Sequence, residues 1–449
     1  MPPLSFSSPP RTLSDLMTLY QRVALLGLFL SLTGAPLFAQ QSMFLVRGKV
    51  RDQSTGETLS AATIRILGTA RGTIANADGI FELQIEADSS RIVVSSIGYT
   101  ADTLRVKPSE GVYDVRLTPS AIVMPEVVVS SEDPAVEIIR RAIARKHQWV
   151  DQLATYSMEA FTRQCIRRDT AIASITESMT KGYWRAGDTL REVIVRRRQT
   201  RNVPESFNFA AVGVLLNFNE DRVHFVGYDF VGPTANDALD YYDYKLIRTR
   251  VGAGREVYDI AMKPAVRTLP LFAGTVSIEG DTYALVGVDI QPNEAFGLPF
   301  VRDFTIRYQQ QFALYDSTFW LPVDIRIDAH AEISIPGFQI PAIGFEQTSA
   351  ISSYAVNVPV PDSLFRKPRV SVDSTATRMD SSSWAARTVL PMTLEEQQAY
   401  RTLDSTKTLE MQFRPSGFIG LFVRTICQTR PALSTDRRPF SRFPSEATD

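Results

Sequence analysis

The run Gly72-Thr73-Ile74-Ala75-Asn76-Ala77-Asp78-Gly79-Ile80-Phe81-Glu82-Leu83 constrains this chain more than any other stretch. Asn-x-Asp-Gly between two short alternating segments predicts a hairpin, because Asn, Asp and Gly accept the left-handed backbone of a tight turn. Phe81-Glu82-Leu83-Gln84-Ile85 then alternates with period two, as a strand covering one face of a core does. Upstream, Phe44 to Asp52 reads as a strand, Ser54-Thr55-Gly56-Glu57 as its turn, and Ala62 to Leu67 as a second, β-branched strand. Downstream come Arg91 to Tyr99 and two strands around Leu104 and Val115. Short strands with Gly-bearing turns predict an all-β sandwich. Gly48, Gly72, Asn76, Asp78, Gly79 and Gly98 are its expected turn positions.

The N-terminus predicts export. Arg11 and Arg22 precede the apolar run Val23 to Leu30, Thr33-Gly34-Ala35-Pro36 breaks it, and Ala39-Gln40 offers a small-residue cleavage point. Residues 1–39 therefore read as a signal peptide, and the run is too short to cross a bilayer comfortably. The expected location is the periplasm or the periplasmic face of the outer membrane, with no transmembrane helix in the mature chain. Lys plus Arg (48) nearly equals Asp plus Glu (49), leaving a net charge of -1, so nothing pulls the whole chain toward nucleic acid. The cluster Arg196-Arg197-Arg198 with Arg201 reads as a solvated strand end. Cys165 and Cys427 are far apart in sequence, and a structural disulfide is not expected.

The pattern Gly48-x-Val50-x-Asp52, Thr55-Gly56-Glu57-x-Leu59, Ala62-Thr63-Ile64, Gly68-Thr69, Gly72-Thr73, Asn76-x-Asp78-Gly79-x-Phe81 and Ile97-Gly98-Tyr99 closely resembles the carboxypeptidase-regulatory-like domain. The resemblance implies a transthyretin-like sandwich over residues 44–119, a non-catalytic accessory often found at the N-terminus of TonB-dependent receptors.

Pro125 to Val129 looks like a short departing strand. Asp133-Pro134 then opens a helix, since Asp caps free amides and Pro suits the first turn. Val136, Ile139, Ala142, Ile143 and Lys146 fall on one side of it, with Arg140, Arg141 and Arg145 on the wet side. From Tyr156 the pattern returns to β, with strands expected at 156–162, 190–197, 258–262, 272–278, 285–290, 304–311 and 321–329. Residues 133–355 are thus expected to form a curved antiparallel sheet with few helices, so the fold class is mainly β. In outline the pattern resembles the half-barrel lipoprotein carriers of the periplasm. Residues 356–383 read as a Pro- and Ser-rich linker, and Thr393 with Glu396 as a capping box starting a helix to about Leu409.

A second resemblance rests on Phe230 to Leu246, Phe319-Trp320-Leu321-Pro322, and Met392-Thr393-Leu394-Glu395-Glu396 with Tyr400 and Asp404. These are similar to a bacterial envelope family of unknown function, in which such a sandwich and a β-rich region usually precede an outer-membrane β-barrel. A barrel requires about eight strands of roughly ten residues. The tail Arg424 to Asp449 is polar and does not alternate. The expectation is a soluble variant or, as the preferred reading, a frame that has lost its second half.

Catalytic groups are scarce. His147, His224 and His330 show no zinc-peptidase spacing, and His330 with Glu332 on one strand face does not make a site, so no metal is expected. Ser178-Met179-Thr180-Lys181 has Ser-x-x-Lys spacing without its partner motifs. Asp240 with Asp243, and Glu395 with Glu396, read as solvated charge. No enzyme activity and no cofactor are expected. The remaining lead is aromatic: Phe225, Tyr228, Tyr241, Tyr242 and Tyr244 crowd around Gly227 and Gly232, either lining a groove for a sugar or lipid or forming core. The expected role is accessory, binding or assembly work at the outer membrane with an envelope protein as partner. The alternative is a carrier of a hydrophobic or glycan ligand.

Overall fold

Alternating side chains build the first seven strands: β1 (Met43–Asp52), β2 (Thr63–Ile66), β3 (Gly72–Ile74), β4 (Ile80–Glu86), β5 (Arg91–Ser95), β6 (Asp102–Arg105) and β7 (Val112–Leu117). They form two sheets, β4-β1-β7 and β3-β2-β5-β6, enclosing Val46, Val50, Ile64, Phe81, Ile85, Ile92, Val94 and Leu117. The computed structural model describes residues 43–414 and 416, apart from 70, 87–90, 97, 108–110, 121–132, 214–216, 226, 253–254, 299, 377–383 and 385–389. The signal peptide expected at 1–39, the short strand expected at 125–129, Cys427 and the polar tail lie outside the described residues.

The Asn-x-Asp-Gly turn forms as expected. Asn76 Oδ1 accepts from the backbone N–H groups of Asp78 (3.0 Å) and Ile80 (2.9 Å), and Gly79 adopts φ +73°. Gly98 likewise has φ +92°. Gly48 and Gly72 correct the expectation, because both lie within strands. A Cβ on Gly48 would come within 2.4 Å of the Phe81 ring, and one on Gly72 within 2.5 Å of the Ile64 carbonyl oxygen. Close approach, and not a turn, is what requires glycine there.

Helix α1 (Pro134–Val150) starts as predicted, with the Asp133 carboxylate accepting from Ala135 N at 2.9 Å. It buries Ala135, Ile139, Ala142 and Lys146. The remaining strands are β8 (Thr155–Arg168), β9 (Ala171–Arg185), β10 (Arg191–Gln199), β11 (Arg222–Phe225), β12 (Tyr228–Val231), β13 (Tyr242–Gly252), β14 (Arg255–Pro264), β15 (Phe272–Glu279), β16 (Leu285–Pro292), β17 (Val301–Tyr315), β18 (Phe319–Pro322), β19 (Asp324–Ile333), β20 (Ile343–Val356) and β21 (Val370–Val372). One twelve-stranded sheet runs β13-β14-β15-β16-β17-β19-β20-β8-β9-β10-β21, with β18 paired to β17, and it does not close into a barrel.

Three differences from the sequence reading have physical causes. The strand expected at 321–329 is two, since β18 pairs with the end of β17 and β19 with its beginning. β20 was not legible because its middle is polar; it is held by matched polar pairs across the sheet, Thr162–Ser349 at 2.9 Å and Gln164–Gln347 at 2.8 Å. The supposed linker contributes β21, a parallel addition to β10.

The inner face of the sheet carries α1, the β11–β12 hairpin and residues 210–213 and 217–221. The outer face receives the sandwich, where Arg326 donates to the Ala61 carbonyl at 2.6 Å. It also receives α2 (Leu394–Thr402), whose Thr393–Glu396 capping box is formed. The helix ends at Thr402, seven residues short of Leu409, where Asp404 Oδ1 accepts from Thr406 N and makes a turn. A separate helical turn follows at Leu409–Gln412.

Candidate functional site

Antiparallel strands place every second connection on the same rim of a sheet. Here one rim collects the connections 200–210, 265–271, 293–300 and 334–342. These carry Phe207 (72% exposed), Phe209 (55%), Val266 (36%), Leu269 (42%), Phe300 (72%) and Ile335 (39%). On the opposite rim the connections 186–190, 280–284 and 316–318 have no exposed large hydrophobic side chain among the described residues, and Val150 (36%) at the end of α1 lies exposed beside them. Single exposed apolar groups are ordinary, but Val266, Leu269, Phe300 and Ile335 fall on three successive loops of one edge, with Phe207 and Phe209 further along it beyond the β8–β9 turn.

The expected aromatic residues divide at this rim. The β11–β12 hairpin leans its tip on the 293–300 loop, with Tyr228 donating to the Gly297 carbonyl at 3.4 Å. Phe225 and Tyr228 lie 5.6 Å and 5.2 Å from the Phe296 ring, centroid to centroid, and Phe296 lies 5.5 Å from Phe304. This cluster is a stiff floor beneath the rim, and Tyr241 sits half-buried at the same edge just before β13. Tyr242 and Tyr244 instead point inward. Their hydroxyls donate to the carbonyls of Val231 (2.6 Å) and Pro233 (2.7 Å), and burial pushes both phenols up in pKa. These two are core residues that hold the segment from Tyr228 to Ala235, so for them the core alternative of the two sequence readings applies.

The catalytic motifs weighed from sequence do not assemble. Ser178 and Lys181 stand three apart on β9 and so point to opposite faces. Ser178 is buried with its hydroxyl donating to the Ala210 carbonyl, while Lys181 is exposed. His224 pairs with Asp229 at 2.8 Å and His147 with Asn236 at 2.6 Å. No group of three or more metal-ligating side chains occurs among the described residues. Glu395 and Glu396 are not free solvated charge: Glu395 holds Arg167 at 2.7 Å and Glu396 holds Arg163 at 3.0 Å. Arg198, expected at a wet strand end, pairs with the buried Glu177 and lies over the Trp384 and Tyr400 rings. Sequence spacing could not find these contacts, because Arg163, Arg167 and the rings over Arg198 meet partners more than 150 residues away, and Glu177 reaches Arg198 only across the β9–β10 pairing.

Residues 46–129 match the CarboxypepD_reg-like domain, and residues 166–343 match a family of unknown function, DUF5686. The chain carries a CarboxypepD_reg-like domain followed by a DUF5686 domain. That order is the one the sequence resemblance implied. The TonB-dependent receptor SusC of Bacteroides thetaiotaomicron is 39% identical over 103 residues, which are 23% of this chain and 9% of the receptor. This chain therefore matches less than a tenth of that receptor's length. Looser likenesses of fold are to a DUF1329 family protein from Desulfovibrio piger and a LolA superfamily protein from Nitrosomonas europaea. The first is 15% identical with a TM-score of 0.26, the second 10% identical with a TM-score of 0.25. Each covers 52% of this chain and 97% of the other protein. Among the described residues no helix is long and apolar enough to cross a membrane.

Proposed function

We propose that this is an exported envelope protein that works by binding, docking its apolar rim against the periplasmic leaflet of the outer membrane. The observation that carries the reading is the asymmetry of the two rims, with Phe207, Phe209, Val266, Leu269, Phe300 and Ile335 on one and, among the described residues, none on the connections of the other, beside which α1 leaves Val150 exposed. The six residues are spread over four loops, which suits a broad apolar surface better than a peptide that must fill a groove. Exposed charges beside them are mixed, Arg201, Arg267 and Arg302 against Glu205, Glu294 and Asp303, so contact would depend on apolar burial and not on lipid charge. The match to part of a TonB-dependent receptor is consistent with that membrane. The inner face of the sheet, filled by α1, the β11–β12 hairpin and Phe218, Phe230 and Phe272, leaves little room for a carried lipid chain.

Vesicle co-sedimentation of the full chain tests this. Wild type is expected to bind phosphatidylethanolamine vesicles with little change between low and high salt, and the triple variant Phe207→Ser, Phe300→Ser, Ile335→Ser to lose most of that binding. Equal binding by both proteins would remove the rim from the account, and binding abolished by salt would replace apolar contact with charge.

A further inference from the structure

At the opposite rim the last turns of α1 meet the connections 280–284 and 316–318 around a cavity of about 270 Å³. Trp149, Trp320 and Leu285 supply apolar surface, and Lys146, Asn219 and Thr234 supply polar groups. At about 30 Å³ per molecule it would hold roughly nine waters, or an organic ligand of about a dozen non-hydrogen atoms. We propose that this cavity binds a single neutral sugar residue.

Two buried groups point to a ligand. Thr234 is 2% exposed and its Oγ1 has no hydrogen-bond partner, an arrangement that buried hydroxyls rarely keep. Lys146 is 6% exposed, and its ammonium, which can donate three hydrogen bonds, makes two: to Asp221 Oδ1 and to the Thr234 carbonyl, each at 2.7 Å. Lys146 thus keeps a donor for a ligand oxygen, and the Thr234 hydroxyl, which has almost no accessible surface of its own, adds a second once its side chain turns toward the cavity.

Charge decides the ligand's class. Asp221 neutralises Lys146, the other lining cation, Arg145, is solvent-exposed and donates to the Gln148 side chain at 2.6 Å, and the C-terminal end of α1 carries the negative end of the helix dipole, so the buried polar groups carry no net charge to hold an acid. An acyl chain would satisfy neither the hydroxyl nor the ammonium. A sugar ring fits both halves of the lining: C–H faces against the indoles, hydroxyls against Thr234, Lys146 and Asn219. The proposal is independent of membrane docking, because it concerns the other rim and a soluble ligand.

The test uses the full chain with glucose, galactose and N-acetylglucosamine as probes, followed by tryptophan fluorescence and saturation-transfer NMR. At least one neutral sugar is expected to bind, and Thr234→Val to weaken it roughly two- to tenfold, the loss of one hydrogen bond. Trp149→Ala should weaken it too, with circular dichroism unchanged in the Thr234→Val protein. The proposal is overturned if no neutral sugar binds, if both variants bind as wild type does, or if glucuronate or decanoate binds more tightly than every neutral sugar.

Discussion

Arg163 and Glu177 face each other as register partners on β8 and β9, with Arg163 Nε donating to Glu177 Oε1 at 2.8 Å, and both side chains are buried. The pair is also the anchor of the C-terminal segment. Arg163 reaches the carbonyls of Leu390 (2.7 Å) and Pro391 (3.0 Å) and the Glu396 carboxylate, while Tyr400 donates to Glu177 at 2.8 Å. Burial pushes the Glu177 carboxyl up, but Arg163 and Arg198 outweigh it and hold the group below its ordinary range. Arg163→Met should lower stability by about 3–5 kcal/mol, because it leaves a buried carboxylate short of a partner. Denaturant unfolding measures this, and a loss under 1 kcal/mol would mean that Arg198 alone suffices.

A second prediction concerns pH. Hydrogen bonds from Ser54 and Tyr99 hold Asp52 down to about 2, the Tyr99 hydroxyl at 2.8 Å. A carboxyl depressed in the folded state contributes stability above its ordinary value, and that contribution is lost as pH falls toward 2. Thermal melts from pH 5 to pH 2.5 should therefore fall more steeply for wild type than for Asp52→Asn; parallel slopes would show that this carboxylate does not matter to the sandwich.

Gly79 and Gly187 separate strain from crowding. Both have positive φ, +73° and +79°, but a Cβ on Gly79 would lie 2.7 Å from the Val50 carbonyl oxygen, whereas one on Gly187 meets nothing within 4 Å. Gly187→Ala should cost about 1–2 kcal/mol, the left-handed penalty alone. Gly79→Ala should cost more, by about 1–3 kcal/mol of added crowding. Equal unfolding midpoints for the two variants would contradict the close packing of the turn on β1.

Cys165 is predicted to be inert. It is 4% exposed, burial pushes its thiol well up, and the nearby Glu396 carboxylate adds to that. In a Cys427→Ser background a thiol reagent should label the native protein only at the rate of unfolding, and promptly in denaturant. Rapid labelling of the native state would mean that α2 does not stay docked over β8.

Legibility followed the range of the interactions. The Asn76–Gly79 turn, the alternating strands of the sandwich, the Asp133 cap and the Thr393–Glu396 capping box could all be read directly, since each is decided within a few residues by backbone preference and local hydrogen bonds. β20 could not, because a strand flanked on both sides needs matched neighbours and not an alternating pattern, and its Ser349 and Gln347 make sense only beside Thr162 and Gln164. The aromatic cluster shows the same division within one stretch: composition marked Phe225, Tyr228, Tyr241, Tyr242 and Tyr244 together, and only packing turned the last two inward.

By itself, then, the sequence determined the sandwich, its Asn76–Gly79 turn and the start of each main helix, because these rest on contacts between residues close along the chain. Tertiary structure decided which strands join the large sheet, which buried charges pair, and that Phe207, Leu269, Phe300 and Ile335 come out on one rim. Strand order and rim membership arise from pairings between distant segments, and no local pattern encodes where a strand's neighbour will come from.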